Sequence, residues 1–278
     1  FLEVNMNDFT ITEHPYPGGK VLYGMPSPEN QTPDKSKVLF TTWTDSQLTD
    51  ITAHYLDTIT GQVTAVASEK TPFHATVVND DYFVISEGTA NGDTVADRFV
   101  EQCVFRGFTD GHELASVAVA PQAYEDITTL NRSSSHEVYL IPQIYQQPGF
   151  RIDEIVVLNT QTWQIARTVE LQDSARINTY SSGRYMYDID ASGDTFIWVS
   201  NDNAILHRSS LLDGTTLAPL TLPNRPRTLF RVSDDMQRYG IQFQNGIFGV
   251  YNAGSNTMGA TIETGLNSFV GASVFNPN

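Results

Sequence analysis

The stretch YGIQFQNGIFGVYNAGSNTMGATIE, residues 239–263, decides the fold class. Its apolar residues fall in short runs at 239–243, 247–252 and 258–263 that alternate with polar ones and are rich in Tyr, Phe, Ile and Val. That pattern suits strands on a half-buried pleated surface. Between the first two runs stands Asn245-Gly246. This pair accepts positive φ at both central positions of a type I′ turn, so it closes a hairpin. Gly254-Ser255-Asn256 then turns the chain into the third run. The stretch reads as three antiparallel strands in a meander.

The grammar repeats upstream. Residues 197–200, the turn Asn201-Asp202-Asn203, residues 204–209, the turn Asp213-Gly214 and residues 217–222 follow the same order. Looser copies run through 37–43, 50–57 and 62–68, through 82–87, 98–105 and 113–119, and through 137–142, 153–159 and 164–171. A further apolar stretch ending in a polar turn stands at 73–78, 185–189 and 228–232, ahead of three of these triplets. Four strands per unit, recurring every roughly 40–60 residues, predict an all-β protein of the β-propeller class with four-stranded antiparallel blades. A blade cannot cover both of its faces alone, so neighbours stack around an axis. A β-sandwich would give short strands without this four-step order. One domain spanning residues 1–278 is expected. Residues 267–275 read as the first strand of a blade, and residues 1–6 and 9–12 as the last strands of one. The expectation is six blades, one of them shared between the termini, which removes exposed edges. Five blades, or part of a larger ring, are the alternatives.

Two phrases carry a family resemblance. Ser182-Gly183-Arg184-Tyr185-Met186-Tyr187, with Asp190-Ala191-Ser192-Gly193-Asp194-Thr195-Phe196-Ile197-Trp198-Val199, resembles the strand-turn-strand phrase of YVTN and WD-repeat-like propellers. Asp57-Thr58-Ile59-Thr60-Gly61-Gln62-Val63 and Asn159-Thr160-Gln161-Thr162-Trp163-Gln164-Ile165 are similar to the hairpin of the same superfamily. The resemblance implies a fold only. That superfamily includes lactonases, dehydrogenases, haem-binding subunits, adhesive modules and scaffolds, so fold does not stand in for function.

Composition excludes some partners. With 32 acidic against 16 basic residues the formal charge is −16. Such a field repels phosphate backbones and anionic lipid, so no nucleic-acid partner is expected. No apolar run nears the ~20 residues of a membrane-spanning helix, so no transmembrane segment is expected. Cys103 is the single cysteine, which rules out an internal disulfide or thiolate zinc site within the chain. It reads as a buried strand thiol. Opening at Phe1 without Met, and richness in Thr, Asn, Gln and Ser with little Lys, suggest a processed, exported protein. The expected location is extracellular, cell-surface or periplasmic.

Chemistry is sparse. Neither a G-x-S-x-G elbow nor an H-E-x-x-H pair nor a phosphate-binding glycine loop occurs. The best oxygen pattern is Asp188-x-Asp190-x-Ser192-Gly193. It matches the opening of a calcium loop, where alternate carboxylates wrap the ion. Val199 stands where the closing bidentate acid belongs, and a turn in which Asp and Ser bond their own backbone explains the same residues. Asn91-Gly92-Asp93 with Asp97, and Asn201-Asp202-Asn203, are oxygen-rich in the same way. The six histidines, at 14, 54, 74, 112, 136 and 207, show no ligand spacing. His74 and His136 stand near blade entries.

Binding surface is easier to place. The longest irregular stretch is 120–135, and a second insertion covers 143–150, so the two would raise a rim on one face. Tyr124, Tyr145 and Phe150 offer amphipathic contact area there. The functional expectation is an exported, non-enzymatic binding, adhesion or assembly module that presents loops on a rigid propeller. Its partner is a protein, a glycan or further copies of the chain. No cofactor is expected, calcium at Asp188, Asp190 and Ser192 being the exception to test. The alternative is a lactonase-like hydrolase or a cofactor-binding redox propeller with a site at the axial channel. No catalytic residue can be named from the sequence.

Overall fold

The computed structural model describes residues 2–4, 11–13, 21–22, 30–43, 51–90, 98–118, 126–131, 136–146, 149–178, 186–190, 192–232, 237–244 and 246–263. Strands β1 (Leu2–Val4) and β2 (Ile11–Glu13) pair as an antiparallel hairpin. Five four-stranded sheets follow in chain order. The first holds β3 (Val21–Leu22), β4 (Lys37–Trp43), β5 (Thr52–Asp57) and β6 (Val63–Val66). The second holds β7 (Thr71–Val77), β8 (Tyr82–Ala90), β9 (Arg98–Gly107) and β10 (Glu113–Ala118). The third holds β11 (Asp126–Asn131), β12 (Glu137–Gln146), β13 (Gly149–Asn159) and β14 (Gln164–Asn178). The fourth holds β15 (Tyr187–Ile189), β16 (Thr195–Val199), β17 (Ile205–Ser210) and β18 (Thr216–Thr221). The fifth holds β19 (Pro226–Arg231), β20 (Arg238–Phe243), β21 (Ile247–Asn252) and β22 (Thr257–Glu263). Every sheet is a meander, each strand lying beside its chain neighbours.

Two segments expected to be irregular contain strands. Within 120–135, β11 pairs along its whole length with β12, from Asp126 opposite Gln143 to Asn131 opposite Val138. Its sequence DITTLN lacks apolar alternation, and the backbone of the apolar strand β12 supplies the pairing instead. Residues 143–146 continue β12, and 149–150 open β13. Residues 143–146 and 149–150 therefore belong to a long ribbon, in which Phe150 and Ile152 alternate inward against half-exposed Arg151 and Asp153.

One hydrogen-bonded clamp recurs in all five sheets and shows that they are copies of one unit. The residue after each third strand donates its backbone N–H to the carbonyl just before the second strand of the same sheet. The pairs are Thr58 to Ser36, Phe108 to Asp81, Thr160 to His136, Leu211 to Asp194 and Ala253 to Gln237, at 2.9, 2.9, 2.8, 2.7 and 2.8 Å. Three residues further on, each turn places a residue at positive φ: Gly61 (71°), Gly111 (71°), Trp163 (54°), Gly214 (75°) and Asn256 (52°). This left-handed conformation is steric strain for a residue with a Cβ and not for glycine. The hairpin phrase read from 57–63 and 159–165 is this clamp. Trp163 and Asn256 are the two exceptions; asparagine tolerates this conformation, whereas the Trp163 ring packs edge-on against Tyr82 at 5.1 Å and tilted against Phe105 at 5.4 Å.

The chain forms two compact units, Phe1–Ile144 with Leu158–Ile165, and Tyr145–Val157 with Ala166–Asn278. In the first, Leu39, Ala53, Tyr55 and Val66 from the first sheet meet Ala75, Val77, Phe83, Ile85 and Phe108 from the second. Fully burying a Leu, Ile or Phe stabilises by roughly 1.5–3 kcal/mol, so this interface is a principal stabiliser of that unit. Cys103 is buried in β9, its Sγ 3.9 Å from the Ser86 hydroxyl. In the second unit, Tyr187, Phe196, Trp198 and His207 form a continuous ring stack across the fourth sheet. Among the described residues no helix is long and apolar enough to cross a membrane.

Candidate functional site

The densest polar chemistry of the second unit sits on the first strands of two successive sheets. Strand β15 is three residues long and buried throughout, so Asp188 needs partners for both oxygens. Arg231, at the end of β19, supplies them. Its Nε donates to Asp188 Oδ2 and its Nη2 to Oδ1, both at 2.6 Å, a two-pronged charge-assisted pair. Asp188 Oδ1 also accepts the Ile189 backbone N–H at 2.7 Å. The Tyr239 hydroxyl donates to the Ile189 carbonyl at 2.9 Å. Burial, reinforced by the nearby Asp188 charge, pushes that phenol far above its ordinary value. Tyr239 therefore serves as a neutral donor. The ensemble neutralises an acid and fixes two strands.

Asp190 turns away from this pair. Its Oδ1 accepts the Ser192 hydroxyl at 2.8 Å and the backbone N–H groups of Gly193, Asp194 and Thr195 at 3.1–3.2 Å. Gly193 provides the positive φ, 76°, that the turn requires. Asp188 and Asp190 thus have separate partners, Arg231 for one and the turn's own backbone for the other. Among the described residues no three His, Cys, Asp or Glu side chains are grouped to hold a metal.

The second candidate surface is the end of the β12–β13–β14 ribbon. Tyr145, near the end of β12, is 43% exposed. Phe150, five residues further on in β13, is buried and packs edge-on against Tyr187 at 6.1 Å. The two rim aromatics therefore play opposite parts, with Phe150 anchoring the ribbon and Tyr145 facing water. Exposed Arg176 reaches Gln146 Oε1 across the ribbon at 3.4 Å. Gly149 is required where it stands, because a Cβ there would strike the Ile177 carbonyl on the neighbouring strand. Tyr124, His14, the turn at 91–97 and residues 267–275 lie outside the described residues.

Three of the histidines are engaged within their own sheets. His54 stacks on Phe40 at 5.2 Å and shares a 2.9 Å hydrogen bond with the Thr42 hydroxyl. His112 pairs with Asp110, which this contact and the His112 backbone N–H hold below the ordinary carboxylate value. His207 stacks on Trp198 at 4.9 Å, and burial lowers it, with Asp202 opposing. His74 lies half-buried on β7, and His136 is exposed.

Sequence reading missed Arg231, whose partner Asp188 lies 43 residues away. The only available signal was a lone arginine closing a strand-like run one repeat downstream of a buried acid. No family model and no curated protein matches this chain.

Proposed function

We propose that the five sheets are blades of a propeller, with β1, β2 and residues 267–275 forming a sixth, and that the chain is an exported, non-enzymatic binding or assembly module. The ribbon carrying Tyr145 is the contact surface, for a glycan, a protein or a second copy of the chain. One observation carries this reading: an ordered β-ribbon, pinned underneath by Phe150, holds a large amphipathic ring out in water. Exposed tyrosine on a rigid support gives contact area at little conformational cost. The recurrent turn clamp supports the blade assignment, since equivalent units are what a ring is built from. The Asp188–Arg231 pair supports a non-catalytic role, because each group already satisfies the other.

The test compares the parent chain with Tyr145→Ala by sedimentation velocity over a wide concentration range and by binding to a glycan array. The parent should self-associate or bind glycan, and the variant should lose at least tenfold in affinity with an unchanged thermal midpoint. A parent chain that stays monomeric and binds no glycan, or binding that survives the substitution, would sink the proposal. Lactone hydrolysis abolished by Asp188→Asn would instead establish the hydrolase alternative.

A further inference from the structure

A second polar cluster of the Tyr145–Val157 and Ala166–Asn278 unit lies where β14, β16 and β20 end, and it leaves acceptors over. The Asn178 backbone N–H donates to the Ser200 hydroxyl at 3.0 Å, and the Asn201 N–H donates to the Asn178 carbonyl at 3.0 Å. Gln244 Nε2 donates to the Asn201 carbonyl at 3.1 Å. The backbone N–H groups of Asn178 and Asn201 are thus both used. The side-chain oxygens Asn178 Oδ1 and Asn201 Oδ1 are both closed off from solvent, and neither has a hydrogen-bond partner. Asn201 as a whole is 8% exposed and Ser200 is 1% exposed. Buried acceptors are almost always satisfied, so two orphans joined by one backbone hydrogen bond call for an external group.

We propose that Asn178 and Asn201 hold a small oxygen-seeking cation at this junction, calcium being the member of the class to test. The surplus consists of acceptors, which a cation satisfies directly. Amide and backbone carbonyl oxygens are ordinary calcium ligands, and the Asn178 and Asn201 carbonyls each retain a second lone pair. The Ser200 hydroxyl offers a further oxygen. Asp202, the next residue in the chain, brings a carboxylate charge to the same turn, and the net charge of −16 favours cation entry. This site is separate from the ribbon and from Asp188, so it stands or falls independently of the proposed function.

The experiment uses the whole chain stripped with EDTA, titrated with calcium chloride by calorimetry and melted with and without the ion. One saturable binding event and a raised melting midpoint are expected. Asn201→Ala should weaken calcium binding at least tenfold without lowering the midpoint of the metal-free chain, because it removes an unsatisfied acceptor. Asn201→Asp should act oppositely, tightening calcium at least tenfold while lowering the metal-free midpoint. No saturable heat in the parent chain would overturn the proposal, the orphan oxygens then being met by water. Equal calcium affinity in the parent and both variants would overturn it as well, by placing the ion elsewhere on the acidic surface.

Discussion

Alanine should be far more damaging at Gly214 than at Gly111, although the two occupy equivalent turns. Both have positive φ, 75° and 71°, so both substitutions force a left-handed alanine at roughly 1 kcal/mol. At Gly111 a Cβ would meet nothing within 4 Å. A gain of about 0.4–1 kcal/mol from stiffening the unfolded chain offsets part of that strain. At Gly214 the Cβ would land on the Glu170 carbonyl of β14, which is backbone and cannot swing aside. Relief requires the turn to part from β14. That separation breaks the Gln172 N–H to Gly214 carbonyl bond (2.8 Å) and strains the Thr216 hydroxyl to Asp173 bond (2.6 Å). With about 1 kcal/mol for each of these two bonds and the same unfolded-chain offset, Gly214→Ala should destabilise by about 2–2.5 kcal/mol and Gly111→Ala by under ~1. Urea unfolding followed by tryptophan fluorescence measures both, since Trp163 lies in the unit of Gly111 and Trp198 in that of Gly214. Equal losses at the two glycines, or a larger loss at Gly111, would refute the reasoning about close approach.

Two further outcomes follow from the charged groups. Arg231→Ala leaves the Asp188 carboxylate, whose side chain is 9% exposed, without its cation, and should destabilise by about 3 kcal/mol in denaturant titration. The joint replacement Asp188→Leu with Arg231→Met should recover most of that loss, and a double variant as unstable as the single one would contradict this account. Lys37 bonds Asp57 at 2.5 Å and, with the Thr60 backbone N–H, lowers its pKa from 3.8 to about 2. Because the folded value lies below the unfolded one, this stabilisation is complete above about pH 4 and is lost as pH falls through 2. Lys37→Met should therefore return the Asp57 carboxyl towards 3.8 in an NMR titration and flatten the stability profile between pH 4 and 2. An unmoved Asp57 titration would show that the turn backbone alone sets its acidity.

By itself the sequence determined most of the strands and their order. Period-two alternation and turn residues such as Asp110-Gly111 and Asp213-Gly214 are local signals, and local sterics act on them without help from distant residues. The meander of 239–263 appears in the fifth sheet almost residue for residue, as β20, β21 and β22. Tertiary structure decided what depended on partners far along the chain. Strand β11 is polar and becomes a strand through the backbone of β12. Trp163 tolerates a glycine's conformation where its ring meets Tyr82 and Phe105. Phe150 and Tyr145 look alike in sequence, yet packing on Tyr187 buries one and leaves the other in water. Asp188 matched a calcium loop on paper, but its oxygens go to an arginine 43 residues away. The polar turn at 201–203 gained its interest from Asn178, on a strand two elements earlier. Hydrogen bonds and ring contacts are fixed by distance in space, and a repeat fold brings equivalent positions of neighbouring units together whatever their separation in the chain.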